Sequence, residues 1–144
     1  MYARILVPTD GSSLSEKAAH TAAELAQRLG AQMLAFTVTE PYPYSPLGEA
    51  PPLLPQEFLA GEQRLAQERL SAVKRLAEAK GVACSAASQE GLQTWRTIVE
   101  YAEGQNADLI VMASHGRGGL SGLLLGSQTH KVLTHCKVPV LVVR

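Results

Sequence analysis

Short apolar runs alternate along the chain with longer segments in which apolar residues recur every three to four positions. The short runs predict five strands, which cover 3–9, 31–39, 82–88, 107–114 and 138–143. The longer segments predict four amphipathic helices, which cover 13–30, 56–81, 94–105 and 127–136. The expected order is therefore a strict alternation of strand and helix that begins and ends with a strand.

Several of these strands are apolar on both faces, as in the run LIVMA at 109–113. This pattern is typical of parallel strands that are covered by helices on both sides. Right-handed crossovers between such strands give a doubly wound sandwich. We therefore predict a single α/β domain over residues 1–144, with an open five-stranded parallel sheet and helices on both faces.

The helix ends and helix faces carry further signals. Ser13 and Glu16 have the spacing of a capping box, Gly30 stands where a C-terminal glycine cap is expected, and Thr94 is the expected N-cap of the third helix. The spacing also predicts which residues are buried: Ala18, Ala22, Leu25 and Leu29 in the first helix, and Leu65, Ala72, Val73 and Leu76 in the second.

Residues 40–55 hold six of the eight prolines. Proline lacks the backbone N–H and fixes its own backbone, so this segment is expected to be a loop. One interpretation is a tolerated surface insertion. The other is a lid in which Tyr42 or Tyr44 covers a ligand, because the loop follows the end of a strand.

Charge and composition narrow the classes of partner. The chain has 13 basic and 13 acidic residues, so it lacks the positive charge of a nucleic-acid-binding protein. The longest apolar runs are too short to span a bilayer, and no signal peptide is evident, so we expect a cytoplasmic protein with no membrane partner. Cys84 and Cys136 are far apart and are interpreted as small buried side chains, not as a disulfide or metal site.

A glycine-rich loop joins the fourth predicted strand to the last helix. Gly116, Gly118 and Gly119 allow backbone amides to approach an anion with no Cβ between them. Gly126 and Ser127 open the helix, whose first N–H groups are unpaired and face a phosphate readily. The loop matches neither GxxxxGK[ST] nor GxGxxG. The spacing of the glycines alone therefore allows two interpretations of the loop, phosphate binding or simple tight turns.

The ends of the first and fourth strands are the second indication of a ligand. Ligands of open parallel sheets bind at the carboxyl ends of the strands, where the strand order reverses. Asp10 follows the first strand and fits either a ligand contact or the N-cap of the first helix. His115 follows the fourth strand and is either a phosphate ligand or an exposed loop residue.

The stretches ILVPTDGSSLSEKA, ADLIVMASHGRGGLSGLLLGS and VPVLVV resemble a single-domain universal stress protein over nearly the whole chain. The ATP-binding branch of that family carries a Gly, two residues, a second Gly, nine residues, and then Gly-Ser or Gly-Thr. This chain has Ala113, Gly116, Gly126 and Ser127 at those positions, so alanine replaces the first glycine. The resemblance implies a Rossmann-like fold with strand order 3-2-1-4-5 and the binding of ATP.

The resemblance also implies the site residues. Asp10, with Pro8 and Thr9, would meet the adenosine, and the backbone of Val38 would read the adenine edge. The ribose would lie on Met112 and Ala113, and the phosphates near His115, Gly116, Gly126, Ser127, Gln128 and Thr129. A divalent ion, Mg²⁺, would be carried by the phosphates with little direct protein ligation. A methyl group at Ala113 would crowd the ligand if the backbone passes close to it, or strain the chain if this position needs a positive φ.

These expectations lead to a nucleotide-dependent switch or sensor in the stress response. No general base or arginine finger is evident, so any ATP hydrolysis should be slow. One alternative is an interaction module that keeps the fold and binds a protein partner without using nucleotide. An adenine-nucleotide-dependent transferase is another, but it lacks a catalytic constellation. Relatives pair the last strand across a two-fold axis, so a homodimer through 138–143 is expected.

Overall fold

The computed structural model describes residues 1–49, 52–117 and 124–144. Within these ranges the chain forms five strands and four helices that alternate as expected. They are β1 (Arg4–Pro8), α1 (Ser13–Leu29), β2 (Gln32–Thr39), α2 (Pro55–Ala79), β3 (Cys84–Glu90), α3 (Thr94–Gly104), β4 (Leu109–Ala113), α4 (Ser127–His135) and β5 (Val140–Val143). The third strand begins and ends two residues later than the sequence predicts, and Pro55 belongs to helix α2 instead of the loop before it.

The strands form one parallel sheet in the order β3-β2-β1-β4-β5. This is the order that the resemblance implies, and it confirms the predicted fold class. Strand β1 lies at the centre and pairs with β2 on one side and β4 on the other. The chain therefore changes direction across the sheet between β1 and β4, where the carboxyl ends of the two strands diverge and leave a crevice.

Two hydrophobic cores lie on opposite faces of the sheet. On one face, helices α1 and α2 cover Ile5, Met33 and Val111. On the other face, helices α3 and α4 cover Leu6 and Phe36, together with the rest of the second core. Every residue of β4 is buried, because this strand has a helix layer on both sides. The all-apolar runs in the sequence are thus explained by burial on two faces.

The predicted buried face of helix α2 is only partly correct. Val73 is buried, but Leu65 is 37% exposed, and the residues that face the sheet are Ala66, Leu70, Val73 and Ala77. The other predicted residues border a groove between α1 and α2. Helix α1 likewise turns small alanines to the sheet, while Leu29 in its last turn is exposed. Small side chains facing the sheet let both helices pack closely on it, and the bulkier ones lie at the margin.

Two of the predicted helix caps are also shifted. The N-cap of α1 is Ser12, whose Oγ accepts the N–H of Ser15 at 3.2 Å, so the predicted Ser13–Glu16 capping box is wrong. The N-cap of α3 is Gln93, and Thr94 is the first helical residue. Gly30 does end α1 in the left-handed conformation, with φ of 66°, as its position in the sequence predicts.

Candidate functional site

A cavity of about 640 Å³ opens at the carboxyl edge of the sheet, between the ends of β1 and β4. The residues after β1 and those after β4 form its floor, and α2, α3 and the start of α4 form its walls. The twelve site residues that the family resemblance implies all border this one cavity: Pro8, Thr9, Asp10, Val38, Met112, Ala113, His115, Gly116, Gly126, Ser127, Gln128 and Thr129. Gly118 and Gly119 lie outside the described residues.

Asp10 is held in place by two backbone N–H groups. Its Oδ1 accepts the N–H of Ser12 at 2.9 Å, and its Oδ2 accepts the N–H of Arg117 at 2.7 Å. Burial raises the pKa of this carboxyl, but hydrogen bonds from Ser12, Arg117 and Ser15 outweigh burial and hold the pKa below its usual range. Asp10 therefore remains a carboxylate at neutral pH, and it joins the loop after β1 to the loop after β4.

The two glycines that flank the loop stand where a side chain would not fit. A Cβ at Gly116 would lie 2.6 Å from Oδ2 of Asp10. A Cβ at Gly126 would lie 3.2 Å from Cα of His115 and 3.3 Å from the carbonyl oxygen of Ser114. The N–H of Gly126 donates to that carbonyl at 2.6 Å. Glycine is thus favoured at Gly116 by the approach of the Asp10 carboxylate and at Gly126 by the close packing of backbone on backbone.

Helix α4 begins at the cavity without a side-chain cap. Gly126 is its N-cap residue and Ser127 its first residue, so the unpaired N–H groups of the first turn face the cavity and carry the positive end of the helix dipole. Thr129 is 3% exposed and donates from its Oγ1 to the carbonyl oxygen of Ala113 at 2.8 Å. This bond fixes the start of α4 to the end of β4.

The side chain of Gln128 forms its hydrogen bond with helix α3 and not with a group in the cavity. Its Oε1 accepts the N–H of Trp95 at 2.9 Å, at the start of helix α3, which has no cap from its own Gln93 side chain. The ring of Trp95 lies 4.4 Å, centroid to centroid, from the ring of His135 in the last turn of α4. Gln128 therefore presents mainly its backbone to the cavity, and it links α4 to α3.

Ala113 contributes only backbone and a methyl group to the cavity, whereas His115 contributes a ring with two nitrogen atoms. Ala113 is 7% exposed and ends β4 in extended backbone paired with Val143. Among the described non-glycine residues, only Asn106 has a positive φ, so Ala113 does not need the conformational freedom of glycine. The Nδ1 atom of His115 lies within hydrogen-bonding distance of Oγ of Ser114, at 3.0 Å. Its Nε2 is buried and has no partner among the described residues.

Among the described residues of the proline-rich loop, only Glu40, which directly follows β2, borders the cavity. The hydroxyl of Tyr42 donates to the carbonyl oxygen of Leu53 at 3.0 Å, and its ring packs edge-on against Tyr44 and Phe58. Neither Tyr42 nor Tyr44 borders the cavity. Ala50 and Pro51 lie outside the described residues. These aromatic contacts hold the loop on the first turns of α2.

The sequence model of the universal stress protein family matches residues 1–144. The chain belongs to the universal stress protein family. It is 39% identical over 145 residues to universal stress protein MJ0531 of Methanocaldococcus jannaschii. The match covers all of this chain and 83% of that protein.

Solved structures of similar proteins share the fold of this universal stress protein. The structure of hypothetical protein MJ0577 has a TM-score of 0.84 at 28% identity, and the match covers 99% of this chain and 96% of that one. A universal stress protein in complex with cAMP has a TM-score of 0.69 at 26% identity, with 99% and 97% covered. Family membership and fold thus rest on both sequence and structure.

Charged residues around the cavity were not foreseen from the sequence. Arg69 reaches the cavity from α2, and Arg117 reaches it from the loop after β4. At the end of β2, the N–H of Glu40 donates to Oε2 of Glu62 at 2.8 Å, which fastens α2 to the sheet edge. Arg69 does leave a signal in the sequence, because it interrupts the apolar stripe that Leu65 begins. A charge in such a stripe indicates a groove or a site instead of a core.

Membrane-spanning helices and clusters of metal-ligating side chains are both absent from the described residues. In this part of the chain no helix has the length and apolar character needed to cross a membrane. No group of three or more His, Cys, Asp or Glu side chains that would hold a metal ion was found there.

Proposed function

We propose that this universal stress protein binds an adenine nucleotide, ATP, in the cavity between β1 and β4, and that the loaded form acts as a switch or sensor in the stress response. The observation that carries this proposal is the convergence on one cavity of every site residue implied by the family resemblance. The cavity volume of about 640 Å³ lies in the range of small-ligand pockets.

The phosphates fit the end of the cavity at Gly116, Gly126 and Ser127. There the uncapped first turn of α4 supplies N–H donors and a positive dipole end, which together stabilise an anion. The absence of a Cβ at both glycines keeps the backbone accessible. Mg²⁺ would be held chiefly by the phosphate oxygens, since this ion prefers oxygen ligands and retains several waters.

The nucleoside fits the other end. The carboxylate of Asp10 has lone pairs beyond its two backbone bonds and would accept a ribose hydroxyl. The backbone of Val38 at the end of β2 would meet the adenine edge. The solved universal stress protein in complex with cAMP supports an adenine ligand in this fold. The extended backbone of Ala113 removes one objection to binding, because this position does not call for a positive φ.

The test is calorimetric titration of Mg-ATP into protein that has been stripped of bound nucleotide. We expect a Kd roughly in the micromolar range. The variant Gly126→Val should abolish binding, because its side chain meets the backbone of Ser114 and His115. The matched control Gly61→Val makes the same change in helix α2, where a Cβ meets nothing within 4 Å, and should bind as the wild type does.

A thermal melt of each variant separates loss of the site from loss of the fold. If Gly126→Val remains folded and binds Mg-ATP normally, the phosphates do not lie at this loop. If the wild type gives no heat and no thermal stabilisation with ATP at millimolar concentration, the nucleotide proposal is wrong. The remaining candidate is then the interaction module that binds a protein partner without nucleotide.

We also propose a homodimer through the last strand. Strand β5 is at one edge of the sheet, paired on one side with β4, and Leu141 on it is 39% exposed. An apolar edge strand is a ready pairing surface. Size-exclusion chromatography with light scattering should give a dimer, and Leu141→Lys should give a monomer. A clean wild-type monomer at micromolar concentration contradicts the proposal.

A further inference from the structure

Two arginine side chains meet over Gly11, in the turn between β1 and α1. Gly11 has a φ of 80°, and the position of a Cβ there lies 3.1 Å from Cγ of Arg69 and 3.4 Å from Nη2 of Arg117. The two residues come from different elements, since Arg69 lies in α2 and Arg117 follows β4. Two guanidinium groups are thus brought to one glycine, next to Asp10.

Neither arginine forms an ion pair with a described residue, although Asp10 lies beside them and Glu16 and Glu68 line the same smaller cavity. Arg69 is half-buried, and its Nε is buried with no hydrogen-bond partner among the described residues. Within the described residues, the ion pair found within 4.0 Å joins Lys80 to Glu24, and neither arginine takes part in one. Two adjacent cations repel each other, and an unpartnered buried N–H costs free energy. An anion between the two guanidinium groups would relieve both costs.

The arginines stand where two cavities meet. A smaller cavity of about 160 Å³ lies between α1 and α2, and it shares Arg69, Arg117, Thr9, Ser15 and Leu65 with the main cavity. Its volume exceeds that of several waters, at about 30 Å³ each. It has enough room for a phosphate group.

The smaller cavity lies away from the proposed 5′-phosphate position. Gly126 and Ser127 border only the main cavity. Glu16 and Glu68 line the smaller cavity as well, so its deeper part is not positive. The anion therefore belongs at the opening beside Gly11, where the guanidinium groups are.

We propose that Arg69 and Arg117 form a second phosphate subsite, which takes a phosphate esterified to the 2′- or 3′-hydroxyl of the ribose. This inference rests on the proposed function: if Asp10 accepts a ribose hydroxyl, a substituent on that side of the sugar extends across Gly11 to the arginines. Arginine suits this role because its planar fork of donors matches a phosphate. A ligand that fills both subsites carries one phosphate on each side of Asp10, as an adenosine bisphosphate does.

The test compares 5′-AMP with adenosine 2′,5′-bisphosphate and adenosine 3′,5′-bisphosphate by calorimetry. We expect at least one bisphosphate to bind the wild type about tenfold more tightly than 5′-AMP, as one charge-assisted contact predicts. Arg69→Gln and Arg117→Gln should each reduce this preference severalfold, because each weakens the binding of the bisphosphate more than that of 5′-AMP. Arg75→Gln is the matched control, since Arg75 is exposed on the same helix and borders neither cavity.

The outcomes separate this inference from the proposed function. Equal affinity of the wild type for 5′-AMP and both bisphosphates overturns the subsite and leaves nucleotide binding standing. Equal weakening of 5′-AMP and bisphosphates in Arg69→Gln assigns the arginine to the 5′-phosphate and also overturns the subsite. A preference that survives in both arginine variants refutes the assignment of residues. If none of the three nucleotides binds, the subsite is overturned, and the Mg-ATP titration described above decides separately whether the proposed function stands.

Discussion

Replacing Gly116 with alanine tests the join between the loops after β1 and β4. The new Cβ would lie 2.6 Å from Oδ2 of Asp10, about 0.8 Å short of the 3.4 Å at which ordinary contact begins. A free carboxylate would swing away at little cost. Asp10 is not free, because both of its oxygens accept backbone N–H groups. The clash therefore breaks a hydrogen bond instead of moving a loose side chain.

The bond at risk is the one from the N–H of Arg117 to Oδ2 of Asp10, at 2.7 Å. A hydrogen bond to a charged group contributes about 1.5–3 kcal/mol. The lower end applies here because Asp10 is only half-buried, and alanine returns about 0.4–1 kcal/mol by restricting the unfolded chain. We expect Gly116→Ala to lower the free energy of unfolding by about 0.5–1 kcal/mol, or about 1–4 °C in Tm.

The assay is urea denaturation in a double-mutant cycle with Asp10→Ala. If the clash with Asp10 is the cause, Gly116→Ala should cost little in the Asp10→Ala background, with a coupling free energy of about 1 kcal/mol or more. Gly61→Ala serves as the control for the glycine change itself. It lies in helix α2 with nothing within 4 Å of its Cβ, and it should stabilise the protein by about 0.5–1 kcal/mol.

Two results would refute this reasoning. One is a Gly116→Ala protein as stable as the wild type, which would mean that the carboxylate moves freely. The other is an equal loss of stability with and without the Asp10 side chain, which would place the clash elsewhere. A loss confined to proteins that retain Asp10 supports the geometry described above.

Three further predictions concern titration, thiol reactivity and helix capping. Because hydrogen bonds outweigh burial and lower the pKa of Asp10, its contribution to stability is complete above the unfolded-state pKa of about 3.9 and is lost as the pH falls through the folded-state pKa. The stability gap between wild type and Asp10→Asn in urea melts should thus be constant from about pH 7 to 5 and shrink as the pH falls below about 4. Burial raises the pKa of the Cys84 and Cys136 thiols, so iodoacetamide at pH 8 should label both severalfold more slowly in folded than in urea-unfolded protein. Gln128→Ala should lower the unfolding free energy by about 0.5–1.5 kcal/mol in a thermal melt, because the N–H of Trp95 loses its acceptor, whereas Gln128→Glu should keep most of it.

The fold was predictable because the burial of strands and helices determines how often apolar residues recur in the sequence. A strand such as β4, buried on both faces, is apolar throughout, and helices packed on one face repeat every three to four residues. Helix α2 shows where this reasoning fails. Leu65 has the right spacing for a core residue but borders a groove, since two helices side by side on a sheet leave an interval that periodicity does not reveal.

The site was predictable only where it depends on residues close together in the sequence, and not where it depends on contacts between distant segments. The spacing of Gly116 and Gly126 indicates a close approach of backbone, but not that the approaching group at Gly116 is Asp10, over 100 residues earlier. Ser12 and Ser13 are equally good caps in sequence, and the geometry of the turn after β1 decides between them. The arginines over Gly11 depend on how α2 packs against α1, which is a tertiary contact.

The contact between Gln128 and Trp95 gives this protein an internal optical probe. The sequence has a single tryptophan, so its fluorescence reports one place in the molecule. That indole belongs to a residue bonded to the first turn of α4 and lies against His135 in the last turn. A displacement at either end of α4 changes its surroundings, and with them its emission. Stopped-flow mixing would thus yield the rates at which a ligand enters and leaves the cavity without attaching a dye.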